Sequence, residues 1–153
     1  FQSGFHWVPF TNPQFPDFRI EWTASRPWVY THNDSLLTFT SSEIGLGFPL
    51  GPNAQMLFVE MNMWHHYKTH ISADLTYIKQ GSGLGSDPND NYNLRDKSLD
   101  DSTSMLLGKV KENLIYGMNF HHRFTELFSI TGNCSFNNNE EIFEGRLGLL
   151  MNY

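Results

Sequence analysis

The run Phe143-Glu144-Gly145-Arg146-Leu147-Gly148-Leu149-Leu150-Met151-Asn152-Tyr153 decides the fold. Phe143, Gly145, Leu147, Leu149, Met151 and Tyr153 fall on one side of it, and Glu144, Arg146, Gly148, Leu150 and Asn152 on the other. A period of two is that of a β-strand, whose successive side chains point to opposite faces. One face suits lipid and the other mostly water, and Tyr153 ends the strand on an aromatic ring.

The same split recurs upstream. Phe18, Ile20, Trp22 and Ala24 alternate with Arg19, Glu21, Thr23 and Ser25, and Ile71, Ala73, Leu75 and Tyr77 with Ser72, Asp74 and Thr76. Leu114, Tyr116, Met118 and Phe120 oppose Asn113, Gly117 and Asn119, and Phe128, Ile130, Gly132 and Cys134 oppose Ser129, Thr131 and Asn133. In Gln55 to Trp64 the split is less clean: Met56 and Phe58 share a face with Glu60 and Asn62, while Leu57, Val59, Met61 and Met63 take the other. The pattern predicts seven strands, near residues 1–10, 18–30, 54–64, 71–80, 108–120, 127–136 and 141–153. Each is close to the roughly 9 to 11 residues that span a bilayer when tilted.

Connections sort by length. Thr11 to Asp17, His65 to His70 and His121 to Glu126 are short, whereas His32 to Asn53 and Gly81 to Leu107 are long and rich in Gly, Asn, Asp and Ser. Short and long alternate, which puts the long ones at one end of the sheet, together with the Asn137 to Glu140 hairpin. Transmembrane barrels have this asymmetry, with short periplasmic turns and longer external loops. Aromatics gather at the strand ends: Phe10, Phe15, Trp64, Tyr67, Phe120, Phe124 and Tyr153 at the short-turn end, and Trp28, Tyr30, Tyr77, Phe136 and Phe143 at the other. Rings of this kind prefer the headgroup zone.

Composition agrees. Of the 153 residues 15 % are aromatic and only 17 % charged, yet no window approaches the roughly 18 consecutive apolar residues of a transmembrane helix. A formal net charge of −6 argues against nucleic acid, which needs a concentrated basic face. Cys134 is the single cysteine and closes no intrachain disulfide. The expected fold is therefore all-β, an antiparallel transmembrane β-barrel in the bacterial outer membrane, with residues 1–153 forming the C-terminal segment of a single barrel domain. Because seven strands are odd and single-chain barrels close on even numbers, the earlier strands and the signal peptide are expected to lie outside this chain.

Chemistry-bearing residues are sparse. His65, His66 and His70 in one short turn and His121 and His122 in the next invite a metal, but no cysteine or helix fixes them. Ser86-Asp87-Pro88-Asn89-Asp90-Asn91 places oxygens at alternate positions as calcium loops do, with Tyr92 where the turn glycine belongs and Ser98 where the bidentate Glu belongs. The inward charges Arg19, Glu21, Glu60, Asp74, Lys111, Glu144 and Arg146 mix both signs, as in a hydrated, salt-bridged interior. No catalytic set is legible, and neither a metal nor a cofactor is expected. Trp28, Tyr30 and His32, with Phe48-Pro49-Leu50, put flat faces beside polar groups near the external rim, where rings can stack on sugars. Trp28, Tyr30, His32, Tyr92 and Arg95 are the candidate ligand-facing loop residues.

Arg19-Ile20-Glu21-Trp22, Pro27-Trp28-Val29-Tyr30-Thr31-His32 and Leu46-Gly47-Phe48-Pro49-Leu50-Gly51-Pro52-Asn53-Ala54 resemble the C-terminal barrel region of the Wzi-type capsule assembly proteins. Tyr77-Ile78-Lys79-Gln80-Gly81, Leu107-Gly108-Lys109-Val110 and Arg146-Leu147-Gly148-Leu149 are similar to the same family. The likeness covers the chain from about Phe18 onward. It implies a non-enzymatic integral outer-membrane protein that assembles or retains capsular or extracellular polysaccharide at the Gram-negative cell surface, with a lectin-like role. The partners implied are membrane lipid and lipopolysaccharide, the polysaccharide itself and the barrel assembly machinery. A porin or transport channel is the alternative, which a constriction lined by one charge sign would favour.

Overall fold

The computed structural model describes residues 1–9, 15–32, 40–41, 44–45, 47–99 and 105–151. Among them nine strands form: β1 (Gln2–Trp7), β2 (Asp17–Ser25), β3 (Thr40–Ser41), β4 (Ile44–Gly45), β5 (Ala54–His65), β6 (Thr69–Gly81), β7 (Val110–Arg123), β8 (Phe128–Asn137) and β9 (Ile142–Met151). No α-helix appears among the described residues. Seven of the strands make one antiparallel sheet in the order β1-β2-β5-β6-β7-β8-β9, and β3 pairs with β4 apart from it. Each sheet strand thus lies beside the next sheet strand along the chain, joined to it by a short turn or, for β2 to β5 and β6 to β7, by a long connection. The sheet is open, with β1 and β9 at its two edges.

The chain divides into two compact units. One holds Phe1–Gln2, Thr23–Met56 and Ile78–Glu112, and the other Ser3–Trp22, Leu57–Tyr77 and Asn113–Tyr153.

In the second unit the register gives the alternation its physical meaning. Tyr116, Phe136 and Phe143 lie abreast across β7, β8 and β9, followed by Met118, Cys134 and Gly145, then Phe120, Gly132 and Leu147. On the opposite face Gly117, Ser135 and Glu144 lie abreast, then Asn119, Asn133 and Arg146. Residues paired across strands share a face, so the apolar set of each strand meets the apolar set of the next. On the polar face the Arg19 guanidinium pairs with Glu21 at 2.8 Å and with Glu60 at 3.9 Å, Asn62 donates to Asp17 at 3.2 Å, and Asn119 to Ser72 at 3.2 Å. Of the charges expected there, Arg19, Glu21 and Glu60 are joined.

The apolar face is not covered. Leu147 is 79 % exposed, Leu149 and Phe143 each 68 %. Among the described residues the buried apolar side chains are Ala24, Tyr30, Pro52 and Ala54. A water-soluble sheet protein of this length hides its large apolar residues against a second layer; here they stand outward in a continuous row.

Several boundaries differ from the sequence expectation. β1 stops at Trp7 rather than near residue 10, and Phe10 lies outside the described residues. β2 stops at Ser25 rather than at residue 30. Pro27 has no N–H to extend the ladder, and Trp28 turns the chain with φ +66°. β7 begins at Val110 and runs on through Arg123, so His121 and His122 belong to the strand, paired with Thr131 and Ile130, and not to a turn. His65 ends β5 and His70 sits in β6, which leaves His66 to Lys68 as the turn. The long connection from His32 to Asn53 contains the β3–β4 pairing. Asn152 and Tyr153 lie outside the described residues.

Candidate functional site

The first unit holds both long connections and a point where they are tied together. Asn53 is wholly buried and sits at φ +57°, a left-handed conformation that asparagine tolerates better than most residues. Its side-chain amide donates to Ser86 Oγ at 2.6 Å and to the Leu107 carbonyl at 2.9 Å, and its Oδ1 accepts the Leu107 N–H at 2.8 Å. Its own N–H donates to the Arg26 carbonyl at 3.2 Å, and its carbonyl accepts the Gly81 N–H at 2.9 Å. Gly81 fits because a Cβ there would collide with the Asn53 amide and the Leu107 carbonyl. One residue therefore joins the end of β2, the start of β5 and both ends of the 81–107 connection.

That connection brings four of the five candidate residues together. The Trp28 N–H donates to the Gly85 carbonyl at 3.0 Å, and the indole lies flat on Gly85, where a Cβ would stand 2.6 Å from ring carbons. Asn91 Oδ1 accepts the Asn93 N–H at 3.0 Å and starts a short 3-10 turn at Tyr92–Leu94. This presents the Tyr92 ring edge-on to Trp28, with centroids 6.2 Å apart, and stacked with His32 at 6.3 Å. The Arg95 guanidinium lies 4.5 Å from the Tyr92 ring centre, a cation–π distance. His32 is exposed, while Trp28, Tyr92 and Arg95 are half-buried. The arrangement is a fixed aromatic platform with a cation beside it.

Tyr30 is placed elsewhere. It is 7 % exposed, and its hydroxyl accepts the Phe48 N–H at 2.7 Å, which makes it a pillar of the neighbouring wall. The acidic loop resolves into turn geometry: Asp87 Oδ1 accepts the Asn89 N–H at 2.8 Å, and Asp90 Oδ2 accepts the N–H of Gly85 at 2.6 Å and of Asp87 at 3.2 Å. Beside Arg95, the Ser98 hydroxyl and N–H both donate to Asp96 and hold its carboxyl below the usual carboxylate range. In the second unit the His65 and His66 rings touch, His70 packs on Trp64 at 4.6 Å, and His122 Nδ1 bonds Thr69 at 2.8 Å. Among the described residues no three His, Cys, Asp or Glu side chains are grouped to hold a metal ion.

Sequence reasoning named Trp28, His32, Tyr92 and Arg95 as candidates, but neither their meeting nor the role of Asn53. The available signal was Gly51-Pro52-Asn53-Ala54, a turn followed by an asparagine just before a strand. Replacing Tyr92 by alanine removes the ring shared by Trp28, His32 and Arg95. It should loosen the 81–107 connection by about 1 to 3 kcal/mol from the lost ring and cation contacts, seen as faster proteolysis there. Tyr92→Phe keeps the ring and should stay close to wild type. Comparison with known proteins returned no match to a family model, to a curated protein or to a solved structure.

Proposed function

We propose that the chain is part of an outer-membrane β-barrel that holds or helps assemble surface polysaccharide without chemical conversion of it. The long connections face the exterior and the short turns the periplasm. The observation that carries the functional half is the platform of Trp28, His32, Tyr92 and Arg95, which puts stacking faces and a cation on the long connections. Aromatic faces of this kind take the apolar side of a sugar ring. The likeness to Wzi-type capsule proteins supports the same reading.

The membrane half rests on the uncovered face. Along β6 the apolar side carries Thr69, Ile71, Ala73, Leu75, Tyr77 and Lys79, and along β7 Glu112, Leu114, Tyr116, Met118, Phe120 and His122. Polar pairs bound the row at each end: Thr69 with His122 at 2.8 Å, and Lys79 with Glu112 at 3.1 Å. The step from Thr69 to Lys79 rises about 34 Å along the strand, which at a tilt of about 40 to 45° is about 25 Å along a membrane normal, the height of a barrel's apolar band. Lipid and lipopolysaccharide are the partners of that face, and insertion needs the barrel assembly machinery.

The test shortens each long connection separately in the full-length protein. Heat-modifiability confirms that a barrel still forms, and cell-bound and released capsule are measured together with sugar binding. Several-fold more released capsule is expected from each variant. Capsule attachment and sugar binding unchanged in both would remove the polysaccharide role, and solute flux in planar bilayers would then favour a channel.

A further inference from the structure

A second recess lies in the first unit, separate from the ring cluster. It is a cleft of about 610 Å3 whose lining includes Gln2, Thr23, Ser25, Arg26, Tyr30 and Phe48. That size falls in the range of small-ligand sites, about 300 to 1,000 Å3. One wall is rigid, because the buried Tyr30 hydroxyl holds the Phe48 backbone. Thr23 and Ser25 are alternate residues of β2 and project on its polar face. Ser25 is 6 % exposed, and its hydroxyl has no hydrogen-bond partner among the described residues. Arg26, exposed at the end of β2, carries the only side-chain charge among the described lining residues.

We infer that this cleft binds an acidic sugar unit, a uronic acid residue of the polysaccharide; the inference rests on the polysaccharide reading above. Each group has a counterpart in that ligand. A guanidinium pairs with a carboxylate through two parallel N–H bonds. Thr23 and Gln2 offer a hydroxyl and an amide to ring hydroxyls, and Phe48 offers a flat apolar face to the C–H side of the ring. A buried hydroxyl without a partner is costly, and turning Ser25 to another staggered position brings it to a ligand oxygen. A neutral sugar leaves Arg26 unused. A phosphate satisfies Arg26 but leaves the Phe48 wall without a ring to cover.

The experiment titrates the full-length folded protein in detergent with tetragalacturonate, maltotetraose and inorganic phosphate by calorimetry. Tetragalacturonate should bind about tenfold more tightly than maltotetraose. Arg26→Gln should lose about tenfold for tetragalacturonate and leave maltotetraose unchanged, while Arg26→Lys should fall between Arg26→Gln and wild type. Arg26 is exposed, so these variants keep the fold, which heat-modifiability checks. Equal affinity for the two tetrasaccharides, or an Arg26→Gln variant that binds tetragalacturonate as wild type does, overturns the inference. So does phosphate binding as tightly as the acidic sugar, which would mark a general anion site. If neither sugar binds while loop shortening still releases capsule, this inference alone fails. If attachment is also unaffected, the polysaccharide reading fails with it.

Discussion

Replacing Leu147 by arginine is expected to destabilise the folded protein in lipid by about 2 to 4 kcal/mol, the cost of a cation near the bilayer midplane on a barrel's outer face. Leu147 is 79 % exposed, pairs with Gly132 and lies abreast of Phe120, so nothing among the described residues covers it. Its sequence neighbour Arg146 points the other way and pairs with Asn133. Asn133→Arg should therefore cost far less, because its side chain joins a polar face. Urea titration of the full-length protein in vesicles measures both. The sign is informative, since on a water-facing sheet an exposed Leu→Arg change would be nearly neutral. A neutral Leu147→Arg, or an Asn133→Arg as damaging as Leu147→Arg, would count against lipid on this face.

Asn53→Ala is expected to cost about 2 to 4 kcal/mol. The change leaves the Leu107 N–H without its acceptor and the Leu107 carbonyl with the Gly83 N–H alone, and a desolvated backbone group that loses its bond costs about 1 to 3 kcal/mol. The left-handed backbone at Asn53 adds to this, because alanine adopts it less readily than asparagine. Asn53→Asp tests the same point differently: a carboxylate keeps the acceptor for the Leu107 N–H but turns a charge toward the Leu107 carbonyl, which the amide had served as donor. Both variants should speed hydrogen exchange at the Leu107 amide and proteolysis within 81–107. Unchanged exchange in both would show that the connection is held by other contacts.

The strands and their faces were legible because a period of two survives in nearly every segment, and cross-strand pairing preserves it. Their ends were less so. Pro27 to Tyr30 continues the aromatic pattern of β2, yet the missing proline N–H and the positive φ of Trp28 turn the chain first, and tryptophan gives no warning of such a backbone. His121 and His122 read as turn residues because they are polar, whereas the β7–β8 register carries them into the sheet with one on each face. The meeting of Trp28 and His32 with Tyr92 and Arg95 could not be read from spacing. It depends on how the 81–107 connection folds back, which Asn53 and Gly85 determine. Tyr30 shares its stretch of sequence with Trp28 and His32, and residue type does not reveal that its hydroxyl accepts the Phe48 N–H.

The neck of that same connection is closed by the backbone: the Ser82 N–H donates to the Lys109 carbonyl at 3.1 Å, and the Gly83 N–H to the Leu107 carbonyl at 3.0 Å. A segment sealed at its base is insulated from the sheet beneath it. Lengthening such a loop is cheap, since each doubling adds only about 0.6 kcal/mol of closure entropy. Insertions and replacements between the two sealed ends can then accumulate without disturbing strand pairing. The architecture is suited to diversification of the connection over an unchanging scaffold.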